Sequence, residues 1–413
     1  MPALHDLLSH SDLLSAWWIA GAALLAPILA SATRRKVPDV VWLLLLGVVI
    51  GPSVLHLAEL SAGVSFVREI GLGLLFFIAG VEINMEDLAD AAGKHARLTY
   101  LVCLILGIGV GFWLSAGNLQ AAIALGIATT STALGTLLPI LKDAGRVGTP
   151  LGAMALRHGA VGELGPIIAM TLLLSARAPW KSAVVLLAFA LLAGFVVYLP
   201  AHVFRTVPWV GRAMVSGVNT TAQTGLRFSM WVLMSLMALT SVLHLDVVLG
   251  AFAAGLLIGR LVGLHPEAKD IFESKLQVLG FSFLIPVFFV TSGMGIDARV
   301  VAHNWATVLL FAGLMLLVRG VPVYLLERLR RSSASDALNP QETVALALYA
   351  AVGLPIIVAV TEVATTTGLM TDEQGSILVA AGAVTVLVFP LLADQVLRRS
   401  PGATPKPAAA HHP

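Results

Sequence analysis

The sequence predicts an all-α polytopic membrane protein with about thirteen transmembrane helices, an inverted repeat and two crossed discontinuous helices, spans 5 and 12. Three observations carry that expectation. Apolar residues make up 58% of the 413-residue chain and charged residues 12%, where a soluble domain carries roughly 25% charged. Apolar runs of membrane-crossing length recur from end to end. Two pairs of these runs share sequence at nearly constant offsets.

Between clusters of charge and turn residues, the runs fall near 13–33, 38–55, 64–83, 97–116, 119–141, 150–175, 180–204, 226–243, 246–262, 276–296, 303–326, 342–368 and 374–396. Connections such as "KDAGRVGTP" (142–150) and "RLRRSSASDALNPQ" (328–341) are polar or rich in turn residues. The apolar N-terminus has no basic leader and reads as a retained span. With the N-terminus outside, eighteen loop Lys and Arg fall on the inner side, against Arg177, Lys181 and Arg299 outside. That bias predicts an inner-membrane protein with its N-terminus out and C-terminus in. One transporter unit is expected over 1–399, with repeats at roughly 38–175 and 246–396 and a linker helix at 180–204. The tail 400–413 reads as disordered and cytoplasmic.

The repeat rests on four spans. Span 2 carries "LLLLGVVIG" (43–51) and span 9 carries "FAAGLLIG" (252–259), both built on Gly-x-x-x-Gly. Gly47 to Gly255 and Gly51 to Gly259 are each 208 residues apart. Spans 3 and 10 continue the match, with Phe76–Phe77 to Phe288–Phe289 at 212 and Asn84 to Asp297 at 213. Partners lie seven spans apart, an odd number, so they cross the membrane in opposite senses. Inverted repeats are characteristic of secondary transporters, whose sites lie at the midplane where paired helices break.

Two spans carry such breaks. Span 5 holds Thr129, Thr130, Ser131 and Thr132 at its middle, hydroxyls that satisfy freed backbone groups or bind a cation. Span 12 holds Gly353-Leu354-Pro355, where proline removes a donor and clashes with the preceding turn. The depths match.

Span 6, "RHGAVGELGPII" (157–168), places Glu163 at its centre, where an ionised side chain costs about 2.5–3.5 kcal/mol. Arg157 and His158 lie six and five residues back and face elsewhere on the helix. The counter-charge must then come from another span, and Arg319 of span 11 is the candidate charge partner. Gly159, Gly162 and Gly165 are expected to leave room for water beside Glu163. A solvated carboxylate facing a cation suits proton-coupled ion exchange, because one group holds a proton or a small cation but not both. Glu362 is a further candidate for an outer vestibule, and Arg157 and His158 for an inner funnel.

Other classes lack support. The net charge of +2 points to no nucleic-acid partner, and Cys103, alone, excludes an internal disulfide or thiolate cluster. No metalloprotease, phosphate-loop or nucleophile-elbow pattern appears, so no enzyme and no cofactor is expected.

The motifs together resemble the bacterial monovalent cation:proton antiporters of the second cation:proton antiporter family, which have the sodium/proton exchanger fold. The likeness spans "GLLFFIAGVEINMEDL" (73–88), "ATTSTALGTLLPILKDAG" (128–145), "GAFAAGLLIGR" (250–260), "IPVFFVTSGMGID" (285–297) and the basic residue of span 11. The resemblance implies a homodimer whose core domain, built on crossed broken helices, moves against a dimerisation domain in an elevator-like cycle. It implies exchange of a monovalent cation, Na⁺ or K⁺, expected at Glu163, and the residues of the span 5 break, Thr130, Ser131 and Thr132, are expected to line that site. Where such proteins carry one acid or a tandem pair, this chain has Glu163 alone, and their usual lysine is Arg319. Two alternatives stay open: a non-exchanging channel-like or sensor protein on the same scaffold, and a sodium-driven organic anion symporter.

Overall fold

The computed structural model describes residues 12–33, 37–83, 90–173, 184, 187–189, 191–195, 223–243, 245–262, 266–329 and 338–399. The first helices are α1 (Asp12–Ala32), α2 (Asp39–Ile50), α3 (Ala62–Glu82), α4 (Ala91–Leu114), α5 (Leu119–Thr130), α6 (Leu134–Asp143) and α7 (Pro150–Leu173). Next come α8 (Thr224–Val242), α9 (Val247–Val262), α10 (Pro266–Leu279), α11 (Ile285–Met294), α12 (Ala298–His303) and α13 (Trp305–Met315). The series closes with α14 (Val321–Leu329), α15 (Pro340–Ala350), α16 (Leu354–Thr366) and α17 (Asp372–Arg398). Single π-turns at Gly280–Leu284 and Leu316–Gly320 join α10 to α11 and α13 to α14. Among the described residues there is no strand.

Nine described helical stretches are long and apolar enough to cross a membrane, joined by the shorter apolar helices α2 and α9. The chain is a multi-pass all-α membrane protein. Twelve of the expected spans coincide with helices, α7 among them. The expected linker helix at 180–204 lies largely, and the tail 400–413 wholly, outside the described residues. Polar residues mark the helix starts. Ser61 accepts the Val64 N–H at the head of α3, and Asn339 with Glu342, and Thr371 with Gln374, close capping boxes on α15 and α17.

The chain divides into two compact units. The first comprises residues 1–32, 42–84 and 170–295. Its centre is α3, buried continuously from Gly71 to Val81, and α11, buried along its whole length. Glycines let the backbones meet there. A Cβ on Gly47 would strike the Val290 carbonyl, and one on Gly255 would strike that of Phe77. Gly293 meets Leu44 just as Gly80 meets Phe252, and Gly51 meets Met294 as Gly259 meets Val81. Each contact maps onto its counterpart through offsets of 208 and 213, so the structure pairs Phe77 with Val290 where the sequence aligned it with Phe289 at 212. Span 2 packs on span 10 as span 9 packs on span 3, the arrangement a repeated pair of helices requires.

The second unit comprises residues 33–41, 85–169 and 296–413. It contains both interrupted helices, α5–α6 and α15–α16, and every candidate site residue. Helix α15 from Ala345 onward and α16 as far as Thr361 are buried.

Candidate ion-binding site

The first break begins where hydroxyls turn back on their own helix. Thr129 and Thr130 donate to the Leu125 and Gly126 carbonyls, each at 2.7 Å, and Ser131 donates to the Ala128 carbonyl at 2.8 Å. The Ser131 bond, with a longer one from the Thr130 hydroxyl to the Ile127 carbonyl at 3.2 Å, satisfies two of the last four carbonyls of α5, where the helix stops inside an apolar environment. The chain then runs extended through Ser131 and Ala133 before α6 starts at Leu134. In the second break Gly353 precedes the first residue of α16 and Pro355 occupies its first turn, where the missing N–H costs nothing. Gly353 is required by close approach, since a Cβ there would lie 2.5 Å from Ser131 Oγ and 2.7 Å from its carbonyl oxygen.

The two breaks satisfy each other. The Ala133 N–H donates to the Val352 carbonyl at 2.7 Å, the Ser131 hydroxyl approaches the Gly353 carbonyl at 3.3 Å, and the Thr132 hydroxyl donates to the Ala350 carbonyl. The Thr132 N–H donates to the Gly162 carbonyl at 2.8 Å, which ties the break to α7. Glu163 completes the arrangement. Its carboxylate, 1% exposed, accepts the Leu134 N–H at 3.0 Å, at the head of α6, where the preceding residue supplies no cap. A charged hydrogen bond contributes about 1.5–3 kcal/mol and a helix N-terminus up to about 2 kcal/mol in partly buried settings. Together they are comparable with the insertion cost of the anion.

Arg319 is fully buried in the π-turn, a local widening that re-aims a side chain. Its guanidinium donates to the His158 carbonyl at 2.8 Å and to Thr132 Oγ1 at 3.2 Å, contacts Cys103 Sγ at 3.7 Å, and lies over the Tyr100 ring. Its charge therefore reaches Gly162, the residue before Glu163, and is anchored on Thr132 and the α7 backbone. The expectation of open space beside the three α7 glycines is corrected. Cβ atoms there would meet Leu134 at Gly159, Thr132 and Arg319 at Gly162, and Tyr100 at Gly165. Those glycines admit neighbouring side chains rather than solvent.

Glu163, Thr130, Ser131, Thr132, Arg319 and Gly353 thus come together, with Thr129 and Pro355 shaping the two breaks. Thr130 is buried with its hydroxyl engaged by α5 itself. Glu362 does not join them. It is partly exposed, nine residues beyond Gly353, about 13 Å along the axis. Arg157 pairs instead with Asp90 at 3.0 Å, at the head of α4. The Gly93 N–H, aided by Arg157, holds the Asp90 carboxyl below the usual carboxylate range. Replacing Thr132 by Val keeps the shape and removes a hydroxyl that joins Arg319 to the second break. Apparent cation affinity in transport assays is expected to fall about tenfold or more, for a loss near 1.4 kcal/mol or more. Thermal stability should change less.

Glu327 and His95 lay beyond the sequence reading. Apolarity ended span 11 at 326 and began span 4 at 97, but α14 runs to Leu329 and α4 starts at Ala91. Both side chains are therefore carried into the protein, where Glu327 meets His158 at 2.9 Å and His95 at 3.3 Å.

A sodium/hydrogen exchanger transmembrane family model matches residues 20–399. The chain belongs to the sodium/hydrogen exchanger family. This exchanger-family chain is 28% identical over 327 residues to the putative Na(+)/H(+) antiporter YjbQ of Bacillus subtilis (strain 168), covering 75% of this chain and 52% of that one. It thus spans about half the length of that relative. It is 24% identical to the Na(+)/H(+) antiporter of Enterococcus hirae, covering 76% of this chain and 82% of the other. The sodium proton antiporter MjNhaP1 from Methanocaldococcus jannaschii at pH 8 shares the exchanger fold, with a TM-score of 0.62 at 19% identity over 92% of this chain and 96% of that one.

Proposed function

We propose that this protein is a secondary active transporter that exchanges a monovalent cation, Na⁺ or K⁺, for protons, with Glu163 as the exchanging carboxylate. The observation that carries the reading is the seat of that carboxylate. It is buried, held by the Leu134 N–H at a half-helix N-terminus, and lies where two interrupted helices exchange hydrogen bonds. Protonation and cation binding compete for the same oxygens, so each ion displaces the other. Thr132 and the carbonyls around the breaks supply the oxygen donors that a desolvated alkali cation needs. Access alternates by an elevator-like movement of the unit carrying both broken helices, in a homodimer of the inner membrane with the N-terminus outside and the C-terminus cytoplasmic. The relatives named above as sodium/proton antiporters support the choice of substrates.

The exchange is electroneutral, one cation for one proton. Arginine stays protonated across the working range, so Arg319 keeps its charge while Glu163 changes occupant. Purified protein in proteoliposomes tests both claims. Adding sodium or lithium outside should drive proton movement read by a pH dye. With the potential clamped by valinomycin and a potassium gradient, the rate should not change with its sign or size. No cation-driven proton movement would remove the exchange reading, and a rate that tracks the potential would remove the one-for-one stoichiometry.

A further inference from the structure

Besides Glu163, Glu327 is the only acidic side chain buried among the described residues. We propose that His95, Glu327 and His158 form a second proton-binding site that loads and unloads Glu163, an inference that rests on the exchange reading above. Glu327 Oε1 lies 2.9 Å from His158 Nε2 and 3.3 Å from His95 Nε2. The side chains of Glu327 and His158 are fully buried, whereas that of His95 is 11% exposed. The three therefore run from a partly exposed group to one in the interior. His158 stands five residues before Glu163 on α7, about 7.5 Å along the axis. Its carbonyl accepts from the same Arg319 that binds Thr132.

A structural ion pair explains this cluster poorly. Glu327 Oε2, His158 Nδ1 and His95 Nε2 are buried without a hydrogen-bond partner, so His95 meets Glu327 by charge at 3.3 Å rather than through a hydrogen bond. Each such atom costs about 1–3 kcal/mol. A pair kept for stability alone is commonly matched or bettered by apolar packing. Two imidazoles beside one carboxylate oxygen are instead suited to sharing a proton, because an imidazole nitrogen and a carboxylate oxygen can each accept one and pass it on. Among the described residues no group of His, Cys, Asp or Glu is arranged to hold a metal ion.

The other charges facing the cluster are accounted for. On α4, Asp90 is engaged by Arg157 of α7. From the π-turn comes Arg319, whose Nη2 holds the His158 carbonyl. On α14, Arg328 is turned to the Tyr324 hydroxyl. A proton taken up by His95 passes to Glu327 Oε1 and on to His158 Nε2, while His158 releases one from Nδ1. His158 faces away from Glu163 on α7, so that proton crosses the remaining gap without a direct contact between the two side chains. One proton enters and one leaves, so the cluster keeps its charge and the exchange stoichiometry is unchanged.

Two transport modes separate a relay from a structural role. Sodium-driven proton movement needs the relay, whereas ²²Na⁺ self-exchange at equal sodium and equal pH needs only Glu163 as a cation ligand. In proteoliposomes of the full chain, Glu327→Gln should slow proton-coupled exchange by at least about tenfold while self-exchange stays within about twofold. Glu327→Asp should recover part of the loss. Should Glu327→Gln fail to fold, His95→Gln, at the exposed end, gives the same selective loss. Equal loss in both modes by a folded variant, or no loss of proton-coupled exchange, overturns the proposal. Wild-type protein that self-exchanges sodium without moving protons would instead refute the exchange reading.

Discussion

Glu163→Gln is expected to abolish cation-driven proton movement while leaving the fold intact. The amide oxygen of glutamine can still accept the Leu134 N–H that now binds the carboxylate at 3.0 Å, so the head of α6 stays capped. What is lost is the charge and the titratable oxygen, hence any means of holding a proton or a cation in turn. Transport should fall to the level of empty liposomes, with the melting temperature in detergent shifted by only a few degrees, as for a loss of about 1 kcal/mol. Glu163→Asp retains a titratable group and should retain some activity with a displaced pH profile. Full exchange by the glutamine variant would move the site elsewhere.

Gly162→Ala is expected to be severe for a different reason. An added methyl would sit against Thr132 Oγ1, and 2.6 Å from Thr132 Cβ and 2.7 Å from Arg319 Nη2. Neither can retreat easily, because the Thr132 N–H is bonded to the Gly162 carbonyl itself and Arg319 is held by the His158 carbonyl. Overpacking of this kind typically costs about 1–3 kcal/mol, and here the displaced groups include Thr132. Thermal unfolding should show the destabilisation, and transport should drop beyond what the folded fraction accounts for. Gly313→Ala is the control: nothing lies within 4 Å of its added Cβ, so the change should be neutral or stabilising by up to about 1 kcal/mol. Similar melting temperatures for the two variants would show that the α7 glycine is not needed for close approach.

Much of this was legible before the structure because the membrane makes its demands in composition. A helix must be apolar for some twenty residues, so most span edges agree with the observed helices to within a few residues. The breaks are legible because a hydroxyl run and a Gly-x-Pro fall at matched depth in two spans; either alone fits an ordinary kink or hydroxyls bonding back to their own helix. What the sequence could not give was direction. Nothing in the spacing of Glu163 says that its carboxylate caps α6, because that depends on a half-helix twenty-nine residues earlier in the chain. Arg319 was found by its cost, but the π-turn that re-aims it has no sequence signal. Glu327 was hidden at a helix end, where polarity is ordinary, and only packing against His158 and His95 reveals its burial. The α7 glycines were read as space, and are instead places already taken.

The paired glycines of the first unit bear on how such a chain can change over generations. At each seam the backbone of one helix faces a missing side chain on another, and the same seam occurs once more with the roles of the two helix pairs exchanged. A substitution that widens one seam tilts a helix in one half against its partner in the other. Its twin seam is then loaded unequally. Neither half is free to drift by itself, and a change of helix angle can be accepted only if a second change, some 208 or 213 residues away, restores the balance.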